Sequence, residues 1–269
     1  MPRFLLAGSI VVALSLAAAT TASAGSAASH VSLDQFVCQP ALEPAQREIS
    51  IQAVMHPVAG TKRIAMRFEL LKRTRPRGPV TEVNGRGLGN WTTPSKPTLG
   101  QRAKDTWRVD HPVIGLAAPA FYRLRVTFRW TGSLGKVLAM VQRDSRTCAQ
   151  PDLRPDLLVQ SITVEPVPNK PARDEYIALI RNRGASAAGP FDVLFAPGGA
   201  NSVQTRSVAL LGAHSRRAVA FTGPACTAAS APTVTVDPND QVDDLDRANN
   251  SLTATCPTTA VAALHSIGI

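Results

Sequence analysis

The sequence predicts an all-β protein that consists of two antiparallel sandwiches in tandem. Apolar residues alternate with Arg or Thr from Tyr122 to Trp130, and a similar alternation runs from 64 to 70. A period of two is typical of a strand that buries one face and exposes the other. Clusters of Pro and Gly separate such stretches along the chain, as is expected for the turns of an all-β fold.

The first 24 residues have the layout of a secretory signal peptide. Arg3 precedes an apolar run from Phe4 to about Ala19, and the small residues Ala22-Ser23-Ala24 end the segment. A membrane anchor is the alternative, but a spanning helix needs ~20 apolar residues, and no charged stop-transfer segment follows. We therefore expect cleavage after Ala24 and a secreted, extracellular chain without a membrane span, either free or held at the cell surface by contacts.

Residues 25–150 are expected to form the first sandwich, which is basic. Residues 25–155 carry 20 Lys and Arg against 9 Asp and Glu, a net charge of +11, whereas residues 156–269 carry 8 against 10, a net charge of −2. Such asymmetry indicates two units with different surfaces. The alternating stretches predict five strands in this domain, at 49–55, 64–70, 106–110, 122–130 and 136–142.

A linker at 151–155 is expected to join this domain to a second one at 156–257, which a tail at 258–269 follows. The linker contains Pro151 and Pro155, which make it short and stiff. The second domain has seven predicted strands, at 157–164, 176–180, 191–195, 208–211, 217–221, 233–237 and 251–256. Seven short strands with turn signals between them predict an antiparallel sandwich of about 100 residues.

Four cysteines in a secreted chain suggest two disulfides, for which sequence alone allows three connectivities. Cys38 and Cys148 bracket the first domain, while Cys226 and Cys256 both lie in the second, so pairing within each domain is the simplest choice. Antiparallel pairing of strands 233–237 and 251–256 would bring Cys226 and Cys256 together. We expect no zinc site, because no two cysteines are near neighbours and the five histidines share no ligand spacing.

The second half resembles the CARDB domain, a cell-adhesion-related module of bacteria. The resemblance is carried by the stretches RPDLLV (154–159), RNRG (181–184) and VDPNDQVDDLDRANN (236–250), in that order. It implies an immunoglobulin-like sandwich with an adhesion or scaffolding role on an exported protein of actinobacterial character, and it implies no catalytic residues. The stretch 245–248 departs from the family's commonest pattern. With the resemblance, the predicted fold class is two immunoglobulin-like antiparallel β-sandwich domains in tandem after a cleaved signal peptide.

The acidic stretch 236–250 is open to two interpretations. An irregular loop could gather oxygen ligands for Ca²⁺ from Asp240, Asp243, Asp244 and Asp246, although the spacing of an EF-hand is absent. Asp and Asn side chains also accept hydrogen bonds from nearby backbone amides and so stabilise turns. We favour the turn and keep Ca²⁺ as the alternative; no other cofactor is expected.

A basic face is the second candidate site. Arg123, Arg125 and Arg129 project from one side of one predicted strand, and Arg67 projects from the exposed side of another. If these strands are neighbours, the patch could attract anionic polymers, although a solvated Arg-rich surface is the simpler interpretation. Trp91 is the aromatic ring with the best case for exposure and ligand contact, but we favour its burial in a loop cluster.

These observations predict a monomeric or weakly associating, non-catalytic protein for binding, adhesion or scaffolding at or outside the cell envelope. Its expected partner is an anionic envelope polymer or another extracellular protein rather than a specific nucleic acid. The alternatives are a calcium-dependent adhesin and an accessory protein of an extracellular hydrolase. The candidate residues for a hydrolytic site in the first half are Glu69, Glu82, Asp105, Asp110, His56 and His111.

Overall fold

The computed structural model describes residues 27–198 and 203–256 as an all-β chain in which every strand pairing is antiparallel. The predicted signal peptide (1–24) and tail (258–269) lie outside the described residues. Helical structure in the described part is limited to short turns, and none of its helices is long and apolar enough to cross a membrane.

The first half contains two facing sheets. Its strands are β1 (Val31–Gln39), β2 (Glu48–Met55), β3 (Arg63–Arg73), β4 (Thr81–Val83), β5 (Trp91–Thr92), β6 (Trp107–Ile114), β7 (Ala120–Thr131), β8 (Val137–Asp144) and β9 (Cys148–Gln150). One sheet has the order β1-β2-β6, and the other has the order β4-β3-β7-β8, with β5 paired to β3 and β9 paired to β7.

The second half also contains two sheets. Its strands are β10 (Leu157–Pro166), β11 (Arg173–Asn182), β12 (Phe191–Ala196), β13 (Gln204–Val208), β14 (Arg216–Pro224), β15 (Thr233–Val236) and β16 (Ser251–Thr253). The sheet orders are β10-β11-β14 and β13-β12-β15-β16.

Each half has a hydrophobic core of its own. The alternating apolar residues of β7 are buried in the first core, where Leu124, Val126, Phe128 and Trp130 have no exposed surface. The second core contains the stacked rings of Phe195 and Phe221, whose centroids are 5.1 Å apart, together with residues from 157 to 242. The period-two pattern thus marks the inward face of each sheet, as a half-buried strand requires.

The disulfides are Cys38–Cys148 and Cys226–Cys256, and no described cysteine is free. These are the pairings expected within each half. In the second half, β15 and β16 are antiparallel neighbours with Thr233 opposite Thr253, which brings the two cysteines together as predicted.

Several strand predictions were wrong in position. The predicted strand 208–211 is β13, which ends at Val208, and Leu211 forms only an isolated bridge with Ala188. The strand predicted at 251–256 ends at Thr253. The strands β1, β4, β5 and β9 were missed. In β1 the pairing register shifts between Asp34 and Val37, and such a bulge interrupts the alternation.

Candidate functional site

The predicted arginines share the outer face of the sheet formed by β3, β7 and β8. Arg123, Arg125 and Arg129 are separated by even numbers of residues on β7, so they project from the same side of the strand. Arg67 lies directly opposite Thr127, and opposite residues of an antiparallel pair point to the same side. We use the term arginine face for the side chains of Arg67, Arg123, Arg125, Arg129 and Trp91.

Trp91 lies between two of these arginines. It is half-buried on β5 and pairs with Arg67 of β3, so the expected burial in a loop cluster was wrong. The guanidinium carbon of Arg129 is 4.0 Å from the centroid of the Trp91 ring, and that of Arg67 is 5.2 Å from it. These are cation–π distances. The ring therefore fixes the positions of two cationic side chains.

Two of the four arginines are paired with carboxylates. Arg125 donates from Nε to Asp144 at 2.9 Å and from an amino nitrogen to the other oxygen at 3.2 Å. This hydrogen bonding lowers the pKa of Asp144, so its carboxylate remains ionised at a lower pH than usual. Arg67 forms an ion pair with Glu69 at 2.9 Å. The face is consequently less positive than four arginines alone would make it.

The positive charge that remains belongs to Arg123 and Arg129. Arg123 is exposed and donates from Nε to the hydroxyl of Thr147 at 2.8 Å. Arg129 is half-buried over Trp91. Within the described residues neither side chain forms an ion pair, so both guanidinium groups retain unneutralised charge.

A cavity of about 430 Å³ opens at the Arg123 end of this face. Its walls combine apolar and basic side chains, including Leu71, Arg73, Val80, Phe121, Arg123 and Arg125. Its volume is within the range of small-molecule pockets. The arrangement would suit an acidic group that carries an apolar portion.

Arg73 and Phe121 also belong to this region, although neither was predicted from the sequence. The signal was present, because Arg73 is an even number of residues from Arg67 on β3 and Phe121 is an even number from Arg123 on β7. Both strands extend beyond the alternating stretches from which they were predicted. Val80 lies in the loop that precedes β4. The alternation of side chains along a strand does not predict where a loop residue lies.

The acidic stretch, the second candidate site, forms the connection between β15 and β16. Asp237 is buried and accepts hydrogen bonds from the backbone N–H groups of Gln241 at 2.8 Å and Val242 at 3.0 Å. Its backbone adopts φ of 49°, a left-handed conformation that Asp tolerates better than most residues. The carboxylate of Asp237 therefore stabilises the turn, at whose start it lies.

Asp244 and Asp246 also accept hydrogen bonds from the backbone. The N–H of Leu157, the first residue of β10, donates to Asp244 at 2.8 Å, and the N–H of Asp246 donates to the other oxygen at 2.8 Å. Burial raises the pKa of Asp244. Asp246 accepts from the N–H of Ala248 at 3.2 Å and from the side-chain amide of Asn249 at 3.2 Å.

Asp240 and Asp243, which are both exposed, contact arginines. Asp240 pairs with Arg247 of the same turn, and Asp243 pairs with Arg154 at 3.2 Å. All four proposed calcium ligands thus have protein donors. Within 27–198 and 203–256, no group of three or more His, Cys, Asp or Glu is arranged to hold a metal ion.

The six candidate residues for a hydrolytic site do not form one cluster. Each takes part in a separate contact. Asp105 accepts from the backbone N–H groups of Gly100 and Arg102, and Asp110 accepts from the amide of Gln52. His56 contacts the hydroxyl of Thr106, while His111 stacks on Phe68 with its pKa lowered by burial. Glu69 pairs with Arg67, and Glu82 lies opposite Leu71 on β3.

Comparison with known families shows that residues 154–254 match the CARDB domain. The match covers the stretches that carry the resemblance in the sequence, from RPDLLV to the acidic turn. A comparison with curated proteins found none that matches this chain.

Comparison with solved structures gives only distant similarities. A red sea bream transglutaminase aligns at 10% identity and a TM-score of 0.29, over 85% of this chain and 31% of that one. The class 5 fimbriae chaperone CfaA aligns at 9% identity and a TM-score of 0.27, over 85% and 99% of the two chains. The native α2-macroglobulin of E. coli aligns at 10% identity and a TM-score of 0.26, over 85% and 16%. The chain thus spans about a third of the transglutaminase and a smaller part of the macroglobulin.

Proposed function

We propose that this protein is an exported, non-catalytic binding protein that attaches to anionic polymers of the cell envelope through its arginine face. The CARDB match supports an adhesion-related extracellular role, and the two disulfides are consistent with an oxidising compartment. In this proposal the second half acts as a rigid spacer.

The observation that carries the proposal is the unneutralised charge of Arg123 and Arg129 on an otherwise ordered face. Trp91 fixes Arg129, and Thr147 fixes Arg123, so little side-chain freedom is lost when an anion binds. The first half as a whole carries the net charge of +11 that would attract a polyanion over a longer range. The cavity beside Arg123 offers a place for an apolar substituent of the polymer.

Sedimentation with isolated cell walls tests this proposal. The variant Arg123→Gln/Arg129→Gln should bind walls about threefold to tenfold more weakly at low ionic strength, and added salt should remove the difference by screening. The matched control is Arg216→Gln/Arg217→Gln, which removes the same charge from exposed positions on β14 of the other half.

The variant Asp144→Asn should have the opposite effect on wall binding. It removes the carboxylate that pairs with Arg125, so a third guanidinium becomes available and wall binding should increase. Wall binding that ignores salt, or that falls equally in the β14 control, would reject the proposed role of the arginine face.

A further inference from the structure

The cavity at the Arg123 end of the arginine face has a floor of four side chains. In the register of β3 with β7, Leu71 lies opposite Arg123 and Arg73 lies opposite Phe121. All four point to the outer side of the sheet, so one apolar and one basic side chain follow each other on each strand. Arg73 and Arg123 are diagonal neighbours, whose Cβ atoms lie roughly 7 Å apart. Two long cationic side chains at this spacing can reach the same anion.

The loop between β3 and β4, residues 74–80, forms one wall of the cavity. Its Pro76 and Val80 line the cavity, and Val80 is 45% exposed. Arg73 donates from an amino nitrogen to the carbonyl of Pro76 at 3.4 Å, which holds the loop to the floor. The apolar side chains of the floor and of this wall therefore lie beside the two arginines and not in a separate place.

The lining of the cavity has an excess of positive charge. It contains Arg73, Arg123 and Arg125 against one carboxylate, that of Asp144. Glu82 of β4 is not among the lining residues. Since Arg125 and Asp144 pair with each other, Arg73 and Arg123 are the lining cations without an ion-pair partner among the described residues.

The remaining charge suits a single carboxylate. Arg123 is exposed and donates from Nε to the hydroxyl of Thr147 at 2.8 Å, so its orientation is fixed while its amino nitrogens can bind an anion from solvent. A guanidinium group binds a carboxylate through two parallel hydrogen bonds. The carboxylate of Asp144 is part of the same lining and would repel a ligand of higher negative charge.

We propose that this cavity binds a singly charged carboxylate that carries an apolar chain, of which a fatty acid is the simplest example. The carboxylate lies between Arg73 and Arg123. The chain packs against Leu71, Phe121 and Val80, and a volume of about 430 Å³ is within the range of small-molecule pockets. The site deepens the proposed function: its use for an acyl group of an envelope polymer rests on that function, whereas binding of the free carboxylate does not.

Isothermal titration calorimetry of the purified protein with octanoate, 1-octanol and acetate tests the ligand class. Octanoate should bind at least about thirtyfold more tightly than acetate, because each buried CH₂ group adds about fourfold in affinity. It should also bind at least about tenfold more tightly than 1-octanol, which has the chain without the charge and so forms no charge-assisted hydrogen bond.

Two variants with matched controls locate the site. Arg123→Gln should weaken octanoate binding about fivefold to tenfold, and its control is Arg216→Gln, the same change at an exposed position of β14 in the other half. Val80→Ser should weaken it about threefold by removing apolar contact. The control for this change is Val203→Ser, because Val203 is also an exposed valine outside the strands, at 58%. Both controls should bind octanoate like the wild type.

Three results would overturn the inference. They are a wild-type protein that does not bind octanoate, binding of 1-octanol as tight as that of octanoate, and an equal loss in the variants and their controls. The wall-binding experiment separates the two proposals. Salt-dependent wall binding without octanoate binding would reject only the carboxylate site, and octanoate binding without wall binding would reject only the proposed function.

Discussion

Gly184 lies where an added Cβ atom would collide with the backbone. It follows Asn182, which is fully buried and accepts hydrogen bonds from the N–H groups of Asp156 at 3.1 Å and Gly184 at 2.9 Å. The backbone leading into β10 passes directly over Gly184. A Cβ atom at this position would be 2.4 Å from the carbonyl oxygen of Arg154 and 2.5 Å from the nitrogen of Asp156.

We expect Gly184→Ala to lower the free energy of unfolding of the second half by about 1 to 3 kcal/mol, the usual cost of overpacking. The atoms that the new methyl group would meet belong to the backbone, so a change of side-chain rotamer cannot relieve the contact. Urea unfolding measures the effect. Gly78→Ala is the control, because its added Cβ would make only ordinary contacts of 3.4 Å or more. Equal stability of the two variants would contradict this account of the RNRG motif.

At the scale of secondary-structure elements, the acidic turn connects β15 to β16 and also contacts β10. Asp244 accepts from Leu157 of β10, and the N–H of Leu245 donates to the carbonyl of Pro155 at 2.9 Å. Asn249 donates from its side chain to Asp156 at 3.0 Å. The turn therefore positions the chain that enters the second half, which is a structural use for carboxylates that could also be calcium ligands.

We expect the melting temperature of the protein to be unchanged by millimolar Ca²⁺ or by chelator. A ligand that binds only the folded state would raise it by mass action, but the carboxylates of this turn already accept hydrogen bonds from protein donors. Thermal unfolding followed by circular dichroism, with Mg²⁺ as the ionic-strength control, measures this. A rise with Ca²⁺ that Asp244→Asn abolishes would support the calcium-dependent adhesin instead.

The strands that were easiest to predict contain a stretch in which apolar and polar residues alternate. β3, β7 and β11 each contain an alternating stretch, and the structure extends them by one to three residues at one end or both. β13 has the sequence QTRSV, in which only Val208 is buried, so its position depends on pairing with β12 and not on a local pattern. β5 is two residues long and exists because Trp91 pairs with Arg67.

At the scale of the whole molecule, each half has its own core and its own disulfide. The cysteines of the first half are 110 residues apart and those of the second are 30 residues apart. Loops of these lengths each correspond to about 3.5 to 5 kcal/mol of stabilisation when the loss of chain entropy in the unfolded state is counted.

We expect two unfolding transitions in calorimetry if the halves are independent domains. The variant Cys226→Ser/Cys256→Ser should lower the transition of the second half and leave the other unchanged, while Cys38→Ser/Cys148→Ser should do the reverse. In each variant the disulfide of the unaltered half stays intact, so that half serves as the internal control. A single transition that both variants lower equally would show that the halves unfold as one unit.

The sequence by itself determined the all-β class, the antiparallel sheets and the resemblance to the CARDB domain, and it favoured the disulfide pairs that the structure has. These depend on period-two alternation, on four well-separated cysteines and on short motifs, all of which are local or ordered along the chain. Only the tertiary structure decided that Trp91 lies between Arg67 and Arg129, that Asp144 neutralises Arg125 and that one edge of β8 has no strand partner among the described residues. These features depend on strand register and sheet order, which bring together residues far apart in sequence, so a local pattern does not contain them.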